Sequence, residues 1–236
     1  MSAPAAAAPA VEDGAPAPPA VSREASPLRT YLLALEFLLL FGAIPLAASL
    51  PALGIPHLPS LLLVAAGCAV VLFRDRTFER RRLWNAGAAL EAAGDVGRRA
   101  FAAAIAVAAL VAAFYPTRLL ELPRQRPLVW AAIVVLYPLL SAWPQELVYR
   151  AFLLHRYRPI FGDGALAVAA STIAFSFLHV VYSNWLALLL TLPAGALLAV
   201  TYRRTRSLAA STLEHTLYGV VVFTLGLGGF FFAGRL

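Results

Sequence analysis

Six ionisable side chains stay within apolar stretches of this 236-residue chain once its arginine-rich connections are set aside: Glu36, Glu146, Arg150, His179, Glu214 and His215. Charged groups at membrane depth are costly and normally face a bundle interior, paired with one another, so each implies a partner or a task. Glu146 and Arg150 are four residues apart, which on a helix places them on one face within pairing reach. His179 closes the stretch FSFLH, with Phe175 one helical turn before it, and His215 follows Glu214 in STLEHTLYG. A carboxylate and two imidazoles suit hydrolysis. The carboxylate takes a proton from water, and the imidazoles hold a metal ion or donate hydrogen bonds to the developing oxyanion.

The histidines do not have the H-E-x-x-H spacing of zinc proteases, so any metal would be bound across helices. A zinc-type divalent cation on His179 and His215 and a metal-free, glutamate-dependent reaction both fit these residues. Plainer readings stand beside the chemical one. Glu146 with Arg150 makes a helix-stabilising ion pair, and each histidine makes a packing residue. Glu36 has no motif around it; His57 and His155 fall in connections and read as solvated or at the headgroups. A small transporter with a Glu–His proton relay is a further reading, against which the lack of an internal repeat counts.

The elements that must position these groups are membrane spans. The chain is 61% hydrophobic with 13% charged residues and a mean hydropathy of +0.78, outside the range of ordinary soluble domains. All 19 basic residues are arginine, and they fall in short clusters between apolar runs. That pattern matches the positive-inside bias of membrane loops and argues against a nucleic-acid partner despite a net charge of +7. The single Cys68 excludes a disulfide framework and a cysteine zinc site within one chain.

Residues 1–27 are Ala/Pro-rich and read as a disordered tail, with no signal-peptide pattern. Residues 28–236 read as one transmembrane helical domain, with the motifs in 143–219. Apolar segments of near-spanning length lie at roughly 30–50, 57–73, 100–115, 127–143, 164–182, 185–202 and 207–232. The fold class is therefore all-α, a polytopic transmembrane helix bundle of seven spans, with an eighth admissible. Residues 83–98 read as a short helix on the membrane surface. The basic connections Arg74–Arg82 and Arg203–Arg206 place the N-terminus in the cytoplasm of a multi-pass cell-membrane protein, although the three arginines of 116–126 then fall outside. One conflict remains: straight helices put His179 about 24 Å beyond Asp163, too deep to meet Glu146 and His215.

The order QELVYR, FSFLH, LEHTLYG on successive apolar segments resembles the CPBP family, intramembrane endopeptidases of the CAAX-processing and bacteriocin-processing type, also labelled abortive-infection proteins. The family pattern is Glu-Glu-x-x-x-Arg, then Phe-x-x-x-His, then His-x-x-x-Asn or Asp, and the resemblance runs from about Val129 to the C-terminus. Glu146, Arg150, Phe175, His179 and His215 match it. The resemblance implies an all-helical membrane bundle that cuts a peptide bond in a membrane-associated protein or peptide, near the C-terminus of a prenylated substrate. Its catalytic residues here would be Glu146, His179 and His215, supported by Arg150, Phe175, Glu214 and Gln145.

Two positions depart from the pattern. Gln145 stands where the family has its first glutamate, and Gly219 where it has Asn or Asp. A glutamine cannot act as a general base, and a glycine offers an oxyanion no side-chain donor. Three accounts compete. Glu146 serves as the base, presented by a helix shifted after Pro144; Glu214 serves instead; or the protein has lost catalysis and is a membrane immunity or peptide-binding protein of the same family.

Overall fold

A computed structural model of the chain describes residues 26–231. Among them there is no strand, and seven helices are long and apolar enough to cross a membrane: α1 Pro27–Ala48, α2 His57–Arg74, α3 Arg80–Phe114, α4 Pro127–Arg156, α5 Ala165–Tyr182, α6 Trp185–Thr205 and α7 Leu208–Leu225. The chain is a multi-pass membrane protein with an all-α bundle. Of the Ala/Pro-rich tail, all but the last two residues lie outside the described part.

Two boundaries differ from those read in the sequence. Residues 83–98 do not form a separate surface helix. They run on into the span as one regular helix, Ala86–Phe114, started by Asn85, whose side chain accepts from the Ala88 N–H. Val96, Ala100, Val107 and Val111 are its buried residues, and α7 is the helix it packs against most extensively. Their spacing of four and seven keeps one stripe facing the core across both halves, so nothing breaks the helix. The second difference is in α4, which does not stop near residue 143 but continues to Arg156. The stretch WPQELVYR lies within it.

Two-residue connectors bring α5, α6 and α7 side by side. Ser183, left-handed at φ 52°, and Asn184 join α5 to α6, with Asn184 capping α6 by accepting from the Ala187 N–H. Arg206, left-handed at φ 49°, and Ser207 join α6 to α7. Where α5 crosses α6, a β-carbon on Gly195 would stand 3.1 Å from the Phe175 ring and 3.4 Å from the Thr172 backbone. A small residue is what lets two membrane helices approach this closely.

The remaining contacts tie the first spans to the rest. Arg156 at the end of α4 forks onto Glu36 of α1 (3.0 and 2.8 Å), and the Tyr157 hydroxyl donates to the same carboxylate at 2.9 Å. Glu36 lies about 14 Å along α1 from its first residue at roughly 1.5 Å per residue, so the α4–α5 connection is tied to the middle of the first span and not to its end. His155 is not simply solvated: its Nε2 lies 2.9 Å from Asp75 Oδ2 in the α2–α3 connection. The hydroxyl of Thr77, then His155, then the Thr77 N–H hold the Asp75 carboxyl down at about 2. His57 lies 3.1 Å from the Ala48 carbonyl at the opposite end of the bundle. Nearby, Arg118 lies over the rings of Tyr115 and Phe230, joining the α3–α4 connection to the segment after α7.

Ser207 shows how tightly the connectors are held. Fully buried, its Oγ donates to the Asn85 carbonyl (2.8 Å) while accepting from the Ala210 N–H at the start of α7 (3.2 Å). Ser207→Ala strands one donor and one acceptor. We expect it to cost about 0.5–2 kcal/mol, the usual range for a lost N-cap, read as a lowered denaturation midpoint of the detergent-solubilised protein.

Candidate active site

The centre of the bundle is the second half of α4. Every residue from Pro144 to Leu153 is buried, a helix covered on all sides. Two prolines shape it. Pro138 and Pro144 lack the N–H that an α turn needs. The helix passes through two wide π-helical stretches, Pro138–Ala142 and Leu147–Phe152, with the α-helical turn Trp143–Glu146 between them. Each wide turn takes up an extra residue and rotates the helix beyond it by about 100°, a device common at functional sites.

Glu146 emerges from this turn between Arg150 and His215. Its Oε1 lies 2.9 Å from His215 Nδ1 on α7, and its Oε2 lies 3.3 Å from Arg150 Nε. Arg150 is fully buried as well. It donates through Nη1 to Ser171 Oγ on α5 (2.8 Å), and its guanidinium lies over the Phe175 ring at 4.7 Å. Ser171 passes the interaction back by donating to the Tyr149 carbonyl at 2.7 Å. Four polar atoms here, Gln145 Oε1, Glu146 Oε2, Arg150 Nε and Arg150 Nη2, are buried without a hydrogen-bond partner among the described residues. Glu146 Oε2 and Arg150 Nε still face each other as an ion pair, which leaves Gln145 Oε1 and Arg150 Nη2 as the buried atoms of this group that lack any partner among the described residues.

Phe175 joins the two histidines. Its ring packs edge-on against His179 (centroids 5.0 Å apart) and His215 (5.3 Å), and against Tyr149 on a further side. The conflict over the depth of His179 dissolves here. The α4–α5 connection is held to Glu36, Ser207 at the start of α7 is buried against Asn85, and the Phe175 ring touches both imidazoles.

Partner chemistry assigns both imidazole tautomers. His179 Nδ1 lies 2.9 Å from the Phe175 carbonyl, which can only accept, so Nδ1 carries the hydrogen. His215 Nδ1 faces a carboxylate and carries its hydrogen likewise. Each neutral ring therefore has its lone pair on Nε2. Both histidines line a cavity of about 1050 Å³ with overwhelmingly apolar walls, to which all seven spans contribute. That is large for a ligand pocket, where about 300–1000 Å³ is usual.

The carboxylates stand differently from the glutamine. Gln145 lines the cavity, its Nε2 donating to Ser141 Oγ at 2.8 Å, whereas Glu146 sits behind His215 and is not part of the wall. Glu214 is turned elsewhere. It accepts from Thr201 (2.5 Å) and Tyr218 (2.7 Å) and lies 3.3 Å from Arg99 Nε, a fully occupied carboxylate with no part in the cavity wall. Sequence reasoning misses Ser171, Ser141 and Tyr137. Only Ser171 has a local signal, since it stands one helical turn before Phe175.

The donor set does not fit a catalytic zinc site, which takes three protein ligands. His179 and His215 supply two, Glu146 is committed to Arg150 and His215, and no group of three or more His, Cys, Asp or Glu side chains among the described residues is placed to hold a metal.

Residues 127–221 match the family model described as Type II CAAX prenyl endopeptidase Rce1-like. The matched segment runs from the start of α4 into α7 and carries Gln145, Glu146, Arg150, Phe175, His179 and His215. Over this segment the chain is similar to that family, in line with its CPBP-type resemblance. No curated protein and no solved structure matches the chain.

The Glu146–Arg150 pair is expected to matter most when broken from one side. Arg150→Met leaves a buried carboxylate without its cation and should destabilise the protein by about 3–5 kcal/mol. Glu146→Gln together with Arg150→Met should recover a substantial part of that loss. Denaturation of the single and double variants measures both.

Proposed function

We propose that this chain is an intramembrane endopeptidase of the CAAX-processing kind. It would hydrolyse a peptide bond near the C-terminus of a lipidated protein or peptide that enters the central cavity from the bilayer. The observation that carries the reading is the Glu146–His215 pair backing onto that cavity. A buried carboxylate on Nδ1 holds the imidazole so that Nε2 offers its lone pair to a water in the cavity. The arrangement resembles the carboxylate–histidine half of a hydrolytic triad, with water in place of the serine. Glu146 acts through His215, as a positioning residue, and Gln145 then need not be a base.

In the reaction, His215 Nε2 takes a proton from the water as its oxygen bonds to the scissile carbonyl carbon, and the carbonyl π pair moves onto oxygen. The imidazolium that forms is stabilised by Glu146, whose charge is in turn balanced by Arg150. When the tetrahedral species collapses, the carbonyl re-forms, the C–N bond breaks, and the leaving amine takes the proton from Nε2. His179, with Nδ1–H fixed to the Phe175 carbonyl, accepts the second O–H of the water through Nε2 and orients it. Phe175 fixes the spacing of the two rings. The apolar cavity suits a prenyl chain, and the basic connections support a cell-membrane protein with a cytoplasmic N-terminus.

A second reading, a peptide-binding or immunity protein without cleavage, is favoured by one observation: the side chain of the QE pair that faces the cavity is the amide, Gln145. Reconstituted protein and a farnesylated peptide ending in a CAAX-type sequence separate the two. Under the endopeptidase reading, His215→Ala and Glu146→Gln each lower kcat by about 10²–10⁴, the contribution of a positioned base. In Glu146→Gln the new amide would donate its hydrogen to Nδ1 and move the ring hydrogen to Nε2. Binding of the peptide with no cleavage by the wild-type protein would instead establish the second reading.

A further inference from the structure

Gly219 stands one helical turn after His215 on the cavity side of α7, and the space its side chain would fill is already taken. A β-carbon there would collide with the Tyr137 ring, whose Cε1, Cζ and hydroxyl oxygen are the nearest atoms. Tyr137 comes from α4, immediately before Pro138 and the first wide turn. Its ring stands edge-on to His215, with centroids 5.9 Å apart, and is supported behind by Phe223 at 5.8 Å. It lines the same cavity as Gln145, His179 and His215, and its hydroxyl has no hydrogen-bond partner among the described residues.

The tautomers make this hydroxyl significant. Both imidazoles spend their N–H on Nδ1 partners, so in the neutral state neither Nε2 can donate into the cavity. The Gln145 amide gives one of its two N–H donors to Ser141, the Tyr218 hydroxyl donates to Glu214 and the Thr191 hydroxyl to the Ala187 carbonyl, while Tyr182, also in the cavity wall, packs against His179 and not against His215. A tetrahedral oxyanion formed beside His215 thus needs a donor from another side chain, because fixed donors aimed at the developing charge are usually the largest catalytic contribution. Tyr137 stands against His215 with its O–H free among the described residues.

We infer that Tyr137 is the oxyanion donor of this site, and that Gly219 is glycine because only a hydrogen leaves room for it. The inference rests on the endopeptidase reading of the cavity. As the water oxygen bonds to the carbonyl carbon and its proton passes to His215 Nε2, the electron pair localised on the carbonyl oxygen accepts a hydrogen bond from Tyr137 Oη–H. The phenol keeps its proton throughout. When the C–N bond breaks and the carbonyl re-forms, that hydrogen bond weakens and Tyr137 is unchanged.

The test uses the full-length protein in liposomes with the farnesylated CAAX-type peptide. Tyr137→Phe keeps the ring over Gly219 and removes only the donor. The expected result is a kcat lower by about 10²–10³, the cost of one oxyanion donor, with KM within two-fold and an unchanged denaturation midpoint. The pair Tyr137→Ala with Gly219→Asn moves a donor onto α7 in the vacated space, and should regain at least ten-fold over Tyr137→Ala alone. A phosphonamidate analogue of the same peptide gives a readout independent of turnover: its affinity relative to the amide should fall at least ten-fold in Tyr137→Phe. Unchanged kcat and unchanged analogue preference in Tyr137→Phe would overturn the inference, as would a kcat loss found in Tyr182→Phe instead. A wild-type protein that prefers the analogue yet cleaves nothing, with that preference lost in Tyr137→Phe, would count against the proteolytic reading and leave the donor role of Tyr137 supported; a preference kept in Tyr137→Phe, or none in the wild type, would overturn it.

Discussion

The Glu146 carboxylate, closed off from solvent in the middle of a membrane helix, is tolerable only because Arg150 and His215 meet its two oxygens. An unpaired charge in such a place costs several kcal/mol, so the partners and their placement are obligatory. Arg150 in turn requires Ser171 and the Phe175 face, and Ser171 requires the Tyr149 carbonyl. Three spans, α4, α5 and α7, are therefore locked around one carboxylate. The lock sets the tautomer of His215 and the depth at which Phe175 sits, and through Phe175 it sets where His179 stands.

The backbone supports this in two ways. The wide turns around Pro138 and Pro144 let adjacent residues serve different neighbours, with Gln145 to the cavity and Glu146 behind His215. The connections after α4 and α6 are pinned through Arg156 and the buried Tyr157 and Ser207, each with a specific partner in Glu36 or Asn85. A site deep in a bundle needs such devices because helices of fixed rise otherwise present their polar groups at different depths. The glutamate beside His215 in the chain, Glu214, shows the alternative fate of a buried carboxylate: three partners and no access to the cavity.

Much of this architecture is legible in the chain. Apolar runs of spanning length separated by arginine clusters are local properties of composition, and the bundle of seven helices follows from them because lipid leaves the backbone no other way to satisfy its hydrogen bonds. The four-residue spacing of Glu146 and Arg150, and of Phe175 and His179, is likewise local, since the helical period alone puts each pair on one face. The limits are local too. The start of α3 reads as a surface helix because its charges hide a stripe that continues through Ala100 to Val111.

What the tertiary structure decided is everything that depends on rotation about α4 and on contacts between spans. Which member of the Gln145–Glu146 pair faces the cavity turns on the two wide turns that flank Trp143–Glu146, and no pattern in the sequence states their size. That Glu146 meets Nδ1 of His215, that Glu214 is spent on Thr201, Tyr218 and Arg99, and that Tyr137 fills the space beside Gly219 are facts of helices brought together from distant parts of the chain. The sequence determined which residues could do chemistry, because burying charge in lipid restricts the choice. Packing determined what each one touches, because only the assembled bundle sets depth and facing.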